Sequence, residues 1–171
     1  MFKRLKNFTI SVYQNYFEIA SCLGATTIIL LAILMDNILG LQACPMCIMT
    51  RYLFGIIALI SFFGFFIAKK LFLIDKFLIV LASTAGLAVT GKQIYLQNLS
   101  QEEISNLPMG CGMPLETQIE YFGFFGGIAN AYKGGPACAE VNWSFIFNFA
   151  EWGFIFFLVF LISSILKIFR V

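Results

Sequence analysis

"CPMCIMTRYLFGIIALISFFGFFIA" (residues 44–68) decides the fold. From Ile48 to Ala68 the run is apolar except for Thr50, Arg51 and Ser61. About 20 such residues span the hydrocarbon core of a bilayer as a helix. Three further runs qualify, at about 17–35, 77–95 and 151–169. The chain of 171 residues is 60% hydrophobic and only 12% charged, with 21 Phe, whereas a soluble domain is about one-quarter charged. Its mean hydropathy of +0.89 agrees. Lipid cannot hydrogen-bond to a backbone, so each run must satisfy its own peptide groups, as a helix does. The expected fold is an all-α membrane protein: a four-transmembrane-helix bundle forming one integral membrane domain over residues 1–171. The run at 17–35 differs from a signal peptide in its length and in lacking a small-residue cleavage site.

Orientation follows from basic residues in short loops. Lys3, Arg4 and Lys6 precede the first run, Lys69, Lys70 and Lys76 separate the second from the third, and Lys167 and Arg170 close the chain. These eight of the 11 basic residues fall on one side. Only Arg51, Lys92 and Lys133 fall toward the other, with Glu102, Glu103, Glu116, Glu120 and Glu140. Both termini are therefore expected in the cytoplasm, with the dithiol turn and residues 96–150 outside. The net charge of +2 is a consequence of topology, and no basic patch suits nucleic acid.

Residues 96–150 form the one long connection. Pro108, Pro114, Pro136 and the pairs Gly126-Gly127 and Gly134-Gly135 are turn signals. "LETQIEYFGFF" (115–125) suits a short helix lying in the membrane interface, with acids on one side and aromatics on the other.

Five cysteines remain: Cys22, Cys44, Cys47, Cys111 and Cys138. Cys22 lies within the first helix and reads as a small buried hydrophobe. The other four fall on the outer side, where disulfides persist. Sequence alone allows three connectivities for four cysteines. By position the natural pairs are Cys44 with Cys47, and Cys111 with Cys138 across 26 intervening residues. A structural bridge suits the second pair, which would staple a loop lacking a core. It suits the first badly, because closing so short a ring removes little entropy from the unfolded chain.

With Cys44 as N-cap and Pro45 at the first helical position, where proline is favoured, Cys47 lies in the first turn. The positive end of the helix dipole there favours a thiolate. Arg51 follows by four residues on the same face. An arginine at that depth either serves a site or snorkels to the interface. Covalent haem is excluded because Ile48 follows Cys47 and the chain has no histidine. The sequence contains no second C-x-x-C to complete a zinc site. Copper(I) is the remaining metal reading, from Met46, Met49, Met109 and Met113 beside the cysteines. Methionine is common on apolar surfaces, and no metal is expected.

Over nearly its whole length the chain resembles the DsbB family of membrane disulfide-generating proteins. The resemblance rests on four helices with both ends inside, a dithiol opening helix two, an arginine four residues after its second cysteine, and a cysteine pair in the outer loop. "CGMPLE" (111–116) and "GPACAEVNWSF" (135–145) are similar to that loop's two motifs. The resemblance implies a bacterial inner-membrane protein, multi-pass, with its active site in the periplasm. It implies that a reduced periplasmic DsbA-like thiol oxidase attacks a Cys111–Cys138 disulfide, forming a mixed disulfide through Cys111. Electrons would then pass to Cys44–Cys47, with Cys44 meeting Cys138, and Cys47 would hand them to a membrane quinone, ubiquinone or menaquinone. Arg51 matches the family arginine beside the quinone, and Gln93 matches a position lining that site. Thr50 stands where many relatives carry an acid, and Asn98 where some carry histidine. Water or an acid such as Asp36 would then have to supply protons.

Energetics favour a quinone. DsbA sits near about −120 mV and a thioredoxin-like dithiol near about −270 mV, so oxidising the first with the second runs uphill by about 7 kcal/mol. A dithiol at the lipid boundary, drained by a lipid-soluble oxidant, removes that obstacle. The competing readings are an oxidoreductase dedicated to one substrate or resembling vitamin K epoxide reductases, and a non-catalytic scaffold with two structural disulfides.

Overall fold

The computed structural model describes residues 2–40, 43–66, 72–105, 114–141 and 144–169. Cys111, Met109, Met113, Pro108, Lys69, Lys70 and Arg170 lie outside the described residues. The four long helices are α1 (Phe2–Leu39), α2 (Pro45–Phe66), α3 (Phe72–Gln97) and, after the connecting elements, α7 (Phe149–Phe169). Each holds a stretch long and apolar enough to cross a bilayer: Tyr16–Leu39, Pro45–Gly64, Leu73–Gln97 and Phe149–Phe169. The expected bundle is therefore present.

Its helices begin earlier than hydropathy places them. Hydropathy marks only what lipid must cover, whereas a helix continues until something stops it. No Gly or Pro interrupts α1 before Gly24, so the helix runs back to Phe2. It stops before Gly40, whose φ of 62° is the left-handed turn that glycine supplies at a helix end. At α2 the expected N-cap at Cys44 is in place. The Cys44 carbonyl accepts from Ile48 N–H at 3.1 Å, and its sulfur accepts from Cys47 N–H at 3.3 Å.

The connection between α3 and α7 is more helical than its turn residues suggest. It contains α4 (Gln101–Ser105), α5 (Leu115–Lys133) and α6 (Pro136–Ala139). Ser100 and Glu103 form a capping box ahead of α4: Ser100 N–H donates to Glu103 Oε2 at 3.0 Å, and Glu103 N–H donates to Ser100 Oγ at 3.4 Å. The short helix expected at 115–125 continues to Lys133, bent at Gly123, where φ is 72°. Its Tyr121, Phe122, Phe124 and Phe125 are exposed. Residues Ser144–Phe145 (β1) pair antiparallel with Phe147–Asn148 (β2), and Ile146 turns between them with φ of 65°. Asn148 then caps α7, accepting from Glu151 N–H at 2.9 Å, while Glu151 accepts from Asn148 N–H at 2.8 Å.

Within the bundle α3 packs on both α2 and α7, and α1 packs on α2. Phe54 of α2 and Phe157 of α7 stack at 4.0 Å in the buried centre. That stack requires Gly86 on α3, since a Cβ there would lie 2.4 Å from the Phe157 ring. Gly86→Ala is expected to lower stability by about 1–3 kcal/mol, the usual result of overpacking a core. Thermal unfolding in detergent measures it, and an unchanged midpoint would show that Phe157 has room to move.

At the opposite end of the bundle from the dithiol, Lys76 is fully buried. Its Nζ pairs with Glu18 at 2.6 Å and Asp75 at 2.8 Å, and lies 4.4 Å from the centre of the Phe17 ring. Lys167 also approaches Phe17, at 5.6 Å. Two of the basic residues that bear on orientation thus also tie α1, α3 and α7 together.

Candidate functional site

The first turn of α2, the outer half of α3 and the short helix α6 bring three of the four outer cysteines together. Cys44 and Cys138 are buried, Cys47 is half-buried, and all three are free thiols. The Cys44 thiol lies 2.9 Å from Cys47 Sγ. Pro136 starts α6 directly after Gly135 and Gly134. Gly134 has φ of 79°, and a Cβ there would meet Leu96 at 2.2 Å. This close approach to α3 seats Cys138 against the start of α2.

Charge within the thiol group is uneven. A hydrogen bond from the Cys44 thiol pulls the Cys138 thiol down to about 7; burial opposes this, and the backbone N–H groups of Met46 and Gly135 add to it. Cys44 is raised, because its proton is held by sulfur on both sides, first Cys138 and then Cys47, and because it is buried. Cys138 is thus the sulfur that more readily carries negative charge, and Cys44 the one that keeps its proton. Exchange begun by Cys138 is expected to quicken as pH rises and its proton leaves, and then to level off; against an oxidised Cys44–Cys47 pair the Cys44 thiol no longer donates, and the Met46 and Gly135 N–H groups remain to hold the thiolate. The measurement is the rate at which a Cys111→Ser protein with an oxidised Cys44–Cys47 pair rearranges at different pH values. A rate that stays flat from acid through alkaline pH would remove Cys138 as the attacking group.

Gln93 on α3 is buried. Its Nε2 donates to Cys47 Sγ at 3.1 Å and approaches Cys44 Sγ at 3.5 Å. Arg51 is not an isolated charge: its Nη2 lies 2.6 Å from Asp36 Oδ2 on α1. Thr50, beside it, turns its hydroxyl back to the Met46 carbonyl at 3.0 Å. Arg51, Asp36, Gln93, Cys44 and Cys47 all line one cavity of about 380 Å³ between α1, α2, α3 and α7. Most of its remaining wall is apolar, including Ile29, Met35, Phe54, Trp152 and Phe156.

Likeness to known proteins extends well beyond the thiols. A family model described as "Disulfide bond formation protein DsbB" matches residues 14–166. The chain belongs to the DsbB family. Among relatives named "Disulfide bond formation protein B", the protein of Marinobacter nauticus is 30% identical over 142 residues, covering 81% of this chain and 82% of that protein. The protein of Polaromonas naphthalenivorans is 29% identical over 150 residues, covering 86% and 87% respectively. That of Albidiferax ferrireducens is 31% identical over 138 residues, covering 80% and 76%. No solved structure matches the chain. Membership in the DsbB family, with four spanning helices, makes this a multi-pass membrane protein of disulfide bond formation.

Two side chains of the site lack a clear mark in the DsbB-like motifs. Asp36 is an acid inside an otherwise apolar run, itself a signal of function, but its partner on α2 emerges only from packing. Gln97 lies one turn beyond Gln93, and its Oε1 is buried without a hydrogen-bond partner among the described residues. Cys22 is half-buried in α1, less enclosed than expected. Met46 and Met49 pack with Cys44, Cys138, Val89 and Leu96 in an apolar cluster. Among the described residues no group of three or more His, Cys, Asp or Glu side chains is arranged to hold a metal.

Proposed function

We propose that this protein re-oxidises a soluble periplasmic DsbA-like thiol oxidase and passes the electrons through its two cysteine pairs to a membrane quinone. The observation that carries the reading is the contact of Cys138, Cys44 and Cys47 at the wall of a mainly apolar cavity. A structural disulfide needs neither a third sulfur nor an apolar chamber.

The exchange follows from the sulfur order. The oxidase's thiolate attacks Cys111, and Cys138 leaves as a thiolate. Cys138 then attacks Cys44 of an oxidised Cys44–Cys47 pair, so a Cys44–Cys138 bond forms, the Cys44–Cys47 bond breaks and Cys47 departs as thiolate. The Gln93 amide at 3.1 Å stabilises that leaving sulfur. Apolar walls suit a quinone ring and its tail, Arg51 and Gln93 offer donors to ring oxygens, and Gln97 Oε1, without a partner among the described residues, offers an acceptor. When bound there, a quinone supplies the two-electron sink that a dithiol alone lacks. Cys47 sits where electrons must leave the protein, and Arg51 lies one turn below it.

The purified protein, mixed with a reduced DsbA-like oxidase and quinone, is expected to consume two thiols for each quinone reduced, over many turnovers. A single stoichiometric exchange without turnover would mark a scaffold. Turnover restricted to one oxidase, across several tested, would mark a dedicated enzyme.

A further inference from the structure

The Arg51–Asp36 pair joins two helices across the cavity wall. We propose that Asp36 is a positioning residue that holds the Arg51 guanidinium toward α1, in the cavity and off the dithiol. The inference rests on the proposed passage of electrons from Cys47 to a ligand in that cavity.

Three observations carry it. The contact is 2.6 Å, and the two side chains remain 23% and 20% exposed, so neither is sealed away from the cavity that both line. Arg51 lies only one turn after Cys47, and α2 begins at Pro45. A long basic side chain near the end of a membrane helix bends toward that end, where water is. For Arg51, that direction leads past Cys47. The carboxylate on α1 opposes the bend. The guanidinium has five donors in a rigid fork, so one edge can hold Asp36 while others stay directed into the cavity.

The surrounding charges are few. Among the described residues Glu140, after α6, is the other charged side chain lining the cavity, which Cys44 and Cys47 also line, and Cys138 of α6 is hydrogen-bonded to Cys44. On α7, Glu151 is engaged by the Asn148 N–H, and α3 contributes the neutral Gln93 and Gln97. Asp36 is therefore the group that balances Arg51. Without it the guanidinium gains charge and freedom together, and both changes favour thiolate at Cys47 while leaving the cavity with a poorly aimed donor.

The test uses the full-length reduced protein in detergent, without added quinone, alkylated by a maleimide and read residue by residue by mass spectrometry. In Asp36→Asn, Cys47 is expected to react about three- to tenfold faster at neutral pH. Asp36→Glu should restore the ordinary rate. In an Arg51→Gln background the acceleration should fall by at least half. Cys22, on α1 with Asp36, reports on that helix and should keep its rate. A second readout is quenching of Trp152 fluorescence by a short-chain quinone, followed in a Trp143→Phe background; Asp36→Asn should weaken it severalfold. An unchanged or slower Cys47, equal acceleration without Arg51, or an accelerated Cys22 would each overturn the proposal. Loss of quinone turnover in the parent protein, with the alkylation pattern intact, would defeat the electron-exit reading and leave the Arg51–Asp36 assignment standing.

Discussion

Cys47→Ser is expected to abolish quinone-dependent turnover while leaving capture of the soluble oxidase intact. Cys47 is the half-buried sulfur that lines the cavity and receives Gln93 Nε2 at 3.1 Å. Serine there keeps a hydrogen bond but cannot form or break a disulfide, so Cys44 has no partner to release and no electrons reach the cavity. Cys138→Ser should fail at a different point. Cys111 then has no disulfide for a reduced oxidase to attack, whereas its thiolate can attack the disulfide of the oxidised oxidase, displacing one of that protein's sulfurs; with no Cys138 to resolve it, this mixed disulfide should accumulate. Cys111→Ser should prevent capture altogether, and Cys22→Ser should change little, because Cys22 sits on α1 away from the three thiols. Non-reducing electrophoresis after mixing with reduced oxidase, and for Cys138→Ser also with oxidised oxidase, separates these cases, and quinone absorbance follows turnover. Normal turnover in Cys47→Ser would mean that electrons leave through another sulfur. Strong loss in Cys22→Ser would show the fifth cysteine to be misplaced.

Much of this arrangement is legible before any fold is known, for specific reasons. Spanning helices are read from uninterrupted apolar runs, and the start of α2 from Pro45 behind a cysteine able to cap. Each signal is local. What stays hidden depends on which helices touch. Asp36 and Arg51 are far apart in the chain, and only the packing of α1 on α2 puts them at 2.6 Å. Lys76 reads as a topology signal, yet it is buried against Glu18, a residue of another helix. The extension of α5 to Lys133 is concealed because Gly123 and the Gly126-Gly127 pair look like breaks; one bends the helix and the pair does not end it. Gln97 shows its vacant acceptor only once the surrounding walls are known.

Arg51 is the side chain whose replacement separates the most explanations. Arg51→Lys keeps a positive charge able to meet Asp36 but loses the planar fork, and Arg51→Ala loses both. If the fork must offer a ring oxygen a directed donor while Asp36 occupies another edge, lysine should raise the apparent quinone KM and alanine should do so further. If Cys47 needs only a nearby charge, lysine should behave nearly as the parent does and alanine alone should fail. A hydrogen bond to a charged group contributes about 1.5–3 kcal/mol, so each failing variant should lose roughly tenfold to a hundredfold. The pair is about one-fifth exposed, which limits how much of alanine's effect comes from an unpaired Asp36, and thermal unfolding of each variant measures that part separately. The geometry favours the first outcome, because Asp36 already takes up one side of the guanidinium, and a lysine drawn to it has no second planar edge left to aim. Quinone-dependent oxidation by all three proteins across a range of quinone concentrations decides between them. Unchanged KM and turnover in Arg51→Ala, with only a lower melting point, would reduce Arg51 to an anchor between α1 and α2 and leave the ligand to be held by Gln93 and Gln97 alone.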